Sequence, residues 1–162
     1  CIWIILLSNF FIWRIAMQVT HAESSDIPKL AILFDQYRIF YKQKDDLVKA
    51  TDFLNSRFKN KDSVILVAHE NLNIIGFTQL YPSFSSVGME KIWILNDLFV
   101  SSDFRNQNVA KYLMEAAKKH GEETGALRIE LATQASNSIA QNLYESMGYI
   151  KNEEFWHYSL EL

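Results

Sequence analysis

Two rhythms of apolar residues run along the chain, one of period two and one near 3.6, and the switches between them mark its elements. MQVTHA at 17–22 alternates and predicts a strand; ESSD at 23–26 then supplies capping side chains ahead of Pro28 and the helical spacing Leu30, Leu33, Phe34, Tyr37. Leu47, Ala50, Leu54 and Phe58 repeat that spacing, with Asp45 and Asp46 suited to the positive end of a helix and Arg57 and Lys59 to the other. Two β-rich runs, SVILVAHE at 63–70 and IIGFTQLY at 74–81, flank Asn71-Leu72-Asn73, a short polar break that predicts a hairpin. KIWILNDLFV at 91–100 is a third such run, reached through a loop, PSFSSVGME, at 82–90.

The pattern then changes. Val109, Tyr112, Leu113, Ala116, Ala117 and His120 make one helical stripe that stops at Gly121, and ALRIELAT at 126–133 reads as a buried strand, so that 91–133 forms a βαβ unit. NSIAQNLYESMG at 137–148 is a further helix, ended by Gly148. YIKNEE and FWHYSLEL, at 149–154 and 155–162, have the alternation of a closing antiparallel pair. The succession predicts a mixed α/β domain.

Residues 1–16, CIWIILLSNFFIWRIA, are nearly all apolar, with Arg14 their one charge. The stretch is shorter than the roughly 20 residues that span a bilayer, and it lacks the basic start and small-x-small cleavage site of a signal peptide. We therefore expect the functional domain to occupy 17–162, with 1–16 an upstream extension, a read-through product or a non-native leader. A membrane anchor is the alternative reading of that stretch.

Composition adjusts this picture little. The 162 residues, 49% apolar, supply one domain with a sizeable core, and a net charge of −3 gives no electrostatic footprint for nucleic acid. A single cysteine, Cys1, excludes an internal disulfide framework or a cysteine zinc cluster and fits a reducing, cytoplasmic setting. The four histidines are scattered without metal-ligand spacing, so no metal is expected.

Candidate chemistry sits at DFRNQNVAKYLM, 103–114, a turn that opens a helix. The first amides of a helix lack internal partners and, with the helix dipole, form an anion site that needs no charged side chain. Glycine is usual in such turns because it tolerates positive φ, and Asn is the next most tolerant residue. Asn108 can thus keep the turn while crowding the ligand slightly, and the Arg105 fork adds a direct contact for a phosphate. A solvated loop that merely caps a helix remains the alternative.

The order LNDLFV, SSDFRNQNVAKYLMEAA, LRIELAT, NSIAQNLYESMGY resembles the GNAT superfamily of acyl-CoA-dependent N-acyltransferases over 17–162. The resemblance implies a mostly antiparallel central sheet with one splayed parallel strand pair, helices on both faces, and acetyl-CoA as co-substrate. The family's turn, Arg/Gln-x-x-Gly-x-Gly/Ala, grips the coenzyme A pyrophosphate; here it reads Arg105-Asn106-Gln107-Asn108-Val109-Ala110, with Asn108 where the central Gly is usual. Implied coenzyme contacts are the backbone of Leu98, Phe99 and Val100, the turn with Lys111 after it, and Asn137. Tyr144 matches the tyrosine beside the thioester sulfur and would be the general acid; a buried helix aromatic is its plain alternative. YPSFSS followed by WILNDLFV is also similar to polyamine and thialysine acetyltransferases, which carry Glu where Asn96 stands.

Acyl transfer to an amine requires a base, because an alkylammonium with a pKa of about 10.4 is protonated at pH 7. Asp97, on the strand that would present the thioester, and Glu130 are the candidates; a hydrogen-bonded structural carboxylate and a solvated strand residue are their respective alternatives. A backbone N–H of Phe99 or Val100 would stabilise the carbonyl oxygen. Tyr37, Tyr41 and Tyr81, with Asn96, could surround an alkylammonium or equally belong to the core. The expected acceptor is a primary amine of a small molecule, with an aminoglycoside or a protein amino group behind it and a homodimer allowed. An acyl-CoA-binding module without turnover is the rival reading.

Overall fold

The computed structural model describes residues 17–155 and 157–162; the apolar leader lies outside the described residues. Five strands, β1 (Gln18–His21), β2 (Val64–Glu70), β3 (Asn73–Ser85), β4 (Glu90–Val100) and β5 (Ile129–Leu131), make one sheet in the order β1-β2-β3-β4-β5. The first three pairings are antiparallel and β4–β5 is parallel, which is the sheet expected from the sequence. Helices α1 (Ile27–Phe40), α2 (Leu47–Asn60), α3 (Val109–Glu123) and α4 (Ser138–Ser146) complete the domain.

Local chemistry explains the helix starts. The Glu23 amide donates to Asp26 at 2.8 Å in a capping box ahead of α1, and Pro28 sits in its first turn, where its missing N–H is no loss. Asp46 caps α2 by accepting from the Lys49 amide at 2.9 Å. Asp35, buried on α1, accepts from the Asp46 amide and from Arg38 at 2.7 Å, so one carboxylate ties the end of α1 to the start of α2. That tie fixes the stretch carrying Tyr37 and Tyr41.

The sheet separates two cores. Leu30 and Phe34 of α1 and Leu54 of α2 pack on Ile65, Val67, Phe77 and Phe99 on one face; Val109, Leu113, Met114 and Ala117 of α3 pack on Leu66, Ile75, Leu80, Trp93, Leu95 and Val100 on the other, joined by Leu143 and Tyr144 of α4. Gly76 of β3 permits this second contact at close range. A Cβ there would lie 3.0 Å from the Phe99 carbonyl oxygen and 3.2 Å from both Leu113 and Val109, so the first turn of α3 rests almost on the backbone of β3 and β4.

The structure departs from the sequence reading in three places. Most of the expected loop at 82–90 is hairpin, with Pro82 opposite Trp93 and Ser85 opposite Glu90. Pro82 is tolerated because β2 ends its pairing at Leu80, so β3 beyond that point has a free edge and no N–H is missed. The strand expected at 126–133 shortens to Ile129–Leu131. Among the described residues of 149–162 there is no strand: Ile150, Phe155, Tyr158, Leu160 and Leu162 are exposed, and three-residue β5 offers too short an edge to template a pair.

Candidate active site

The site is organised by an extra residue in β4. Asp97 lies opposite Gln79 but Leu95 lies opposite Leu80, leaving Asn96 unpaired in a bulge. Below the bulge, the Trp93 amide donates to Arg128 and odd-numbered residues face β5. Above it the parity is reversed. Ser101 donates to Ile75 across the β3 side, and hydrogen-bonded pairs alternate in an antiparallel ladder, so Phe99 turns its backbone groups to β3 while Leu98 and Val100 turn theirs away. The Val100 carbonyl accordingly accepts from Arg105 Nε at 3.2 Å rather than from the sheet. β4 and β5 last pair at Leu95 and Leu131, so the strands part where the bulge has just presented new backbone groups.

Next to this gap the turn at 103–108 leads into α3. Asn106 and Asn108 both hold positive φ, 61° and 62°, the left-handed region in which Asn is the best substitute for glycine. Asn108 stands at the N-cap position but its side chain caps nothing, and the amides of Val109, Ala110 and Lys111 at the helix start are left to a ligand. Gln107 braces the turn by donating to the Asp103 carbonyl at 3.2 Å. The Arg105 guanidinium is anchored at Val100 and lies 5.7 Å from the Phe99 ring. These features fit the pyrophosphate of a coenzyme through backbone geometry. Asn137 caps α4 through Oδ1, which accepts from the Ala140 amide at 3.2 Å, and keeps its NH2 for a ligand.

On the opposite face, Asp97 is 4% exposed. Burial raises its pKa above the usual carboxylate range, opposed by the nearby Tyr37 hydroxyl and by the Asn96 amide, which donates to the carboxylate at 3.1 Å. Its backbone carbonyl is held by Thr78 Oγ1 at 2.8 Å. Tyr37 is pushed far above its ordinary value by burial first and by the Asp97 charge next, with smaller effects of Tyr41 and Tyr144. Tyr81 is raised to about 12, again by burial and then by Asp97. Tyr144, on α4, is raised by burial and by Tyr41, and its ring is 6.1 Å from that of Tyr149. Tyr37 and Tyr41, with ring centroids 5.0 Å apart, pack by Phe99 on the face that Asp97 shares, while Tyr144 packs with the core on the α3 side.

Glu130 is placed differently. It is exposed, and its carboxylate takes Arg128 at 2.7 Å. Sequence reasoning missed Thr78 and Gln79, both fully buried; Gln79 donates to Ser63 Oγ at 2.9 Å and lies opposite Asp97. Their signal was available: two polar residues inside the apolar run IIGFTQLY have to find partners. Among the described residues no group of three or more His, Cys, Asp or Glu side chains is placed to hold a metal ion, and no helix is long and apolar enough to cross a membrane.

An open helix start beside two parting strands, with a buried carboxylate across the sheet, is the arrangement of an acyltransferase. Residues 30–149 match the Acetyltransferase (GNAT) family, and the chain belongs to it. It is 47% identical over 146 residues to an uncharacterized N-acetyltransferase, YhfO, of Bacillus subtilis (strain 168), which covers 90% of this chain and 98% of that protein. The crystal structure of a probable acetyltransferase superposes with a TM-score of 0.85 at 38% identity, over 90% of this chain and 98% of that one. The aminoglycoside N-acetyltransferase AAC(6')-Iy, solved in complex with CoA, shares the fold with a TM-score of 0.74 at 20% identity, over 90% and 95% of the two chains. The protein is an N-acetyltransferase.

Proposed function

We propose that the chain moves the acetyl group of acetyl-CoA to a primary amine of a small molecule by direct attack, with Asp97 as base and Tyr144 as acid. The observation that carries this reading is the buried carboxylate of Asp97 on a strand whose bulge opens the sheet, with the rings of Tyr37 and Tyr41, 5.0 Å apart, beside Phe99 on the same face. An ammonium entering among these rings is attracted by their faces and by Asp97. Burial makes the carboxylate a stronger base than one in water, which narrows its gap to an amine of pKa about 10.4.

As the amine attacks, the N–H groups of Val100 and Leu98, turned away from β3, are available to the carbonyl oxygen as it gains charge. Tyr144 keeps its proton at neutral pH because burial raises its pKa, so it donates a hydrogen bond to the departing thiolate; the same burial makes that thiolate more basic and favours transfer. Asn96 spends its amide on Asp97 and adds no second carboxylate, which favours an acceptor with one ammonium at the reacting centre over a polyamine. The single cysteine supports a reducing, cytoplasmic setting for the reaction.

The full chain mixed with acetyl-CoA and a panel of amines, with free thiol measured, tests this. Thiol release with a small primary amine is expected. Heat stabilisation by acetyl-CoA without thiol from any amine would turn the reading toward a binding module. Neither stabilisation nor thiol would remove both.

A further inference from the structure

A row of four rings runs outward from the α1 face of the sheet. Phe77 of β3 meets Tyr37 at 6.0 Å, Tyr37 meets Tyr41 at 5.0 Å and Tyr41 meets Phe40 at 5.2 Å, with interplanar angles of 84°, 71° and 87°. Every step is edge-to-face, the arrangement that ring quadrupoles prefer. Strand register fixes the inner end: Phe77 pairs with Phe99, and two residues along the same strands Gln79 pairs with Asp97, so the row starts next to the buried carboxylate on the same face. The outer end reaches water, for Phe77 is fully buried while Tyr41 is 39% and Phe40 56% exposed. We propose that this open end is a subsite for an aryl group of the acceptor, so that the preferred amine is an arylalkylamine, with its ammonium at Asp97 and its ring against Tyr41 and Phe40. The inference rests on Asp97 marking the place of the reacting amine.

The row is built to stay in place. Residues 37, 40 and 41 stand at i, i+3 and i+4, which brings their side chains together along one side of α1. Asp35, by accepting from Arg38 and from the Asp46 amide, holds that end of the helix against the start of α2. Exposed apolar residues continue on either side in the sequence, at Ile39 and then at Leu47 and Val48, and clustered exposure of this kind marks a surface that meets a ligand. A ring entering there adds one more edge-to-face contact and sheds its own hydration, whereas an alkyl group gains only the second. The second ammonium of a diamine would find only ring faces in the row, and a cation–π contact at an exposed site is weak.

The test gives the full chain phenethylamine, ethylamine and putrescine, and reads both thiol release with acetyl-CoA and calorimetric titration of the protein saturated with coenzyme A. Phenethylamine should exceed ethylamine by about tenfold or more in affinity and in kcat/KM, the effect of burying much of an aryl ring, with putrescine close to ethylamine. Phe40→Ala truncates a half-exposed side chain outside the buried core. It should reduce the ratio of phenethylamine to ethylamine by about three- to tenfold, the worth of one aromatic pair, and act through KM rather than kcat. A ratio near one, a ratio that Phe40→Ala leaves in place, or a preference for putrescine overturns the proposal. Should no amine release thiol, the acetyl-transfer reading falls, while the calorimetric ratio still decides the aryl subsite.

Discussion

The two faces of the sheet solve their tasks with different materials. Under α3 the anion site is made of backbone: two left-handed asparagines, uncapped amides and the close approach that Gly76 allows. Under α1 the cleft is made of side chains: Asp97, the Asn96 amide that donates to it, and the rings of Tyr37 and Tyr41. A backbone site tolerates changes of residue that preserve φ and spacing, whereas each polar side chain of the other face has a role no neighbour can assume. That contrast leaves room for an asparagine at 108 where the family usually has glycine. Asn supplies the same φ.

Substitutions at four positions would break or sharpen the contrast, in decreasing order of effect. Asp97→Asn should lower turnover about 10²- to 10⁴-fold, the usual contribution of a general base, and leave acetyl-CoA affinity unchanged by calorimetry; equal losses in both would merge the two faces into one. Gly76→Ala should destabilise by about 1–3 kcal/mol through overpacking, because the new methyl meets the Phe99 carbonyl at 3.0 Å. Acetyl-CoA binding should weaken with it as the start of α3 is pushed off the sheet. Asn108→Ala should cost about 1 kcal/mol in denaturant unfolding, since alanine pays the left-handed penalty, while Asn108→Gly should leave coenzyme affinity equal or higher. Weaker binding in the glycine variant would mean that the Asn side chain touches the ligand.

The smallest effect concerns His120, away from both sites. Its pKa is lowered by burial first, then by His21, whose ring nitrogen lies 3.4 Å away, and by Lys91, with Glu123 opposing. Below the ordinary value of about 6.5 the unfolded chain takes up a proton that the folded one refuses, so stability is lost as pH falls from there. Thermal midpoints at pH 7.5 and 5.5 should therefore differ less in His120→Gln than in the parent. A larger gap in the variant would reverse the sign.

Elements governed by local rhythm were readable from the chain: the four helices and the three long strands follow from period and caps. The turn at 103–108 and the helix start after it were readable too, because a helix start needs no distant partner. What escaped depends on pairing across the chain. The bulge at Asn96 arises only when β4 is set against β3, and the strand pair expected at 149–162 had a convincing alternation but no edge to join. Thr78 and Gln79 stood out as polar residues in a buried run, yet their partners, 19 and 16 residues away in sequence, could not be read from spacing. The placing of Tyr37 on the face that Asp97 shares is of the same kind, since an aromatic at helical spacing reads as core until the strand that faces it is known.

The extra residue in β4 also divides the strand into two pieces that can evolve at different rates. The half before Asn96 grips β5 and serves as scaffold. The half after it is out of phase with the first, so a one-residue insertion or deletion upstream would hand Asp97 and Val100 to each other's faces. Such length changes should therefore be absent among working relatives, while substitutions at 91–95 accumulate freely: the bulge acts as a reading-frame marker written into a β-strand.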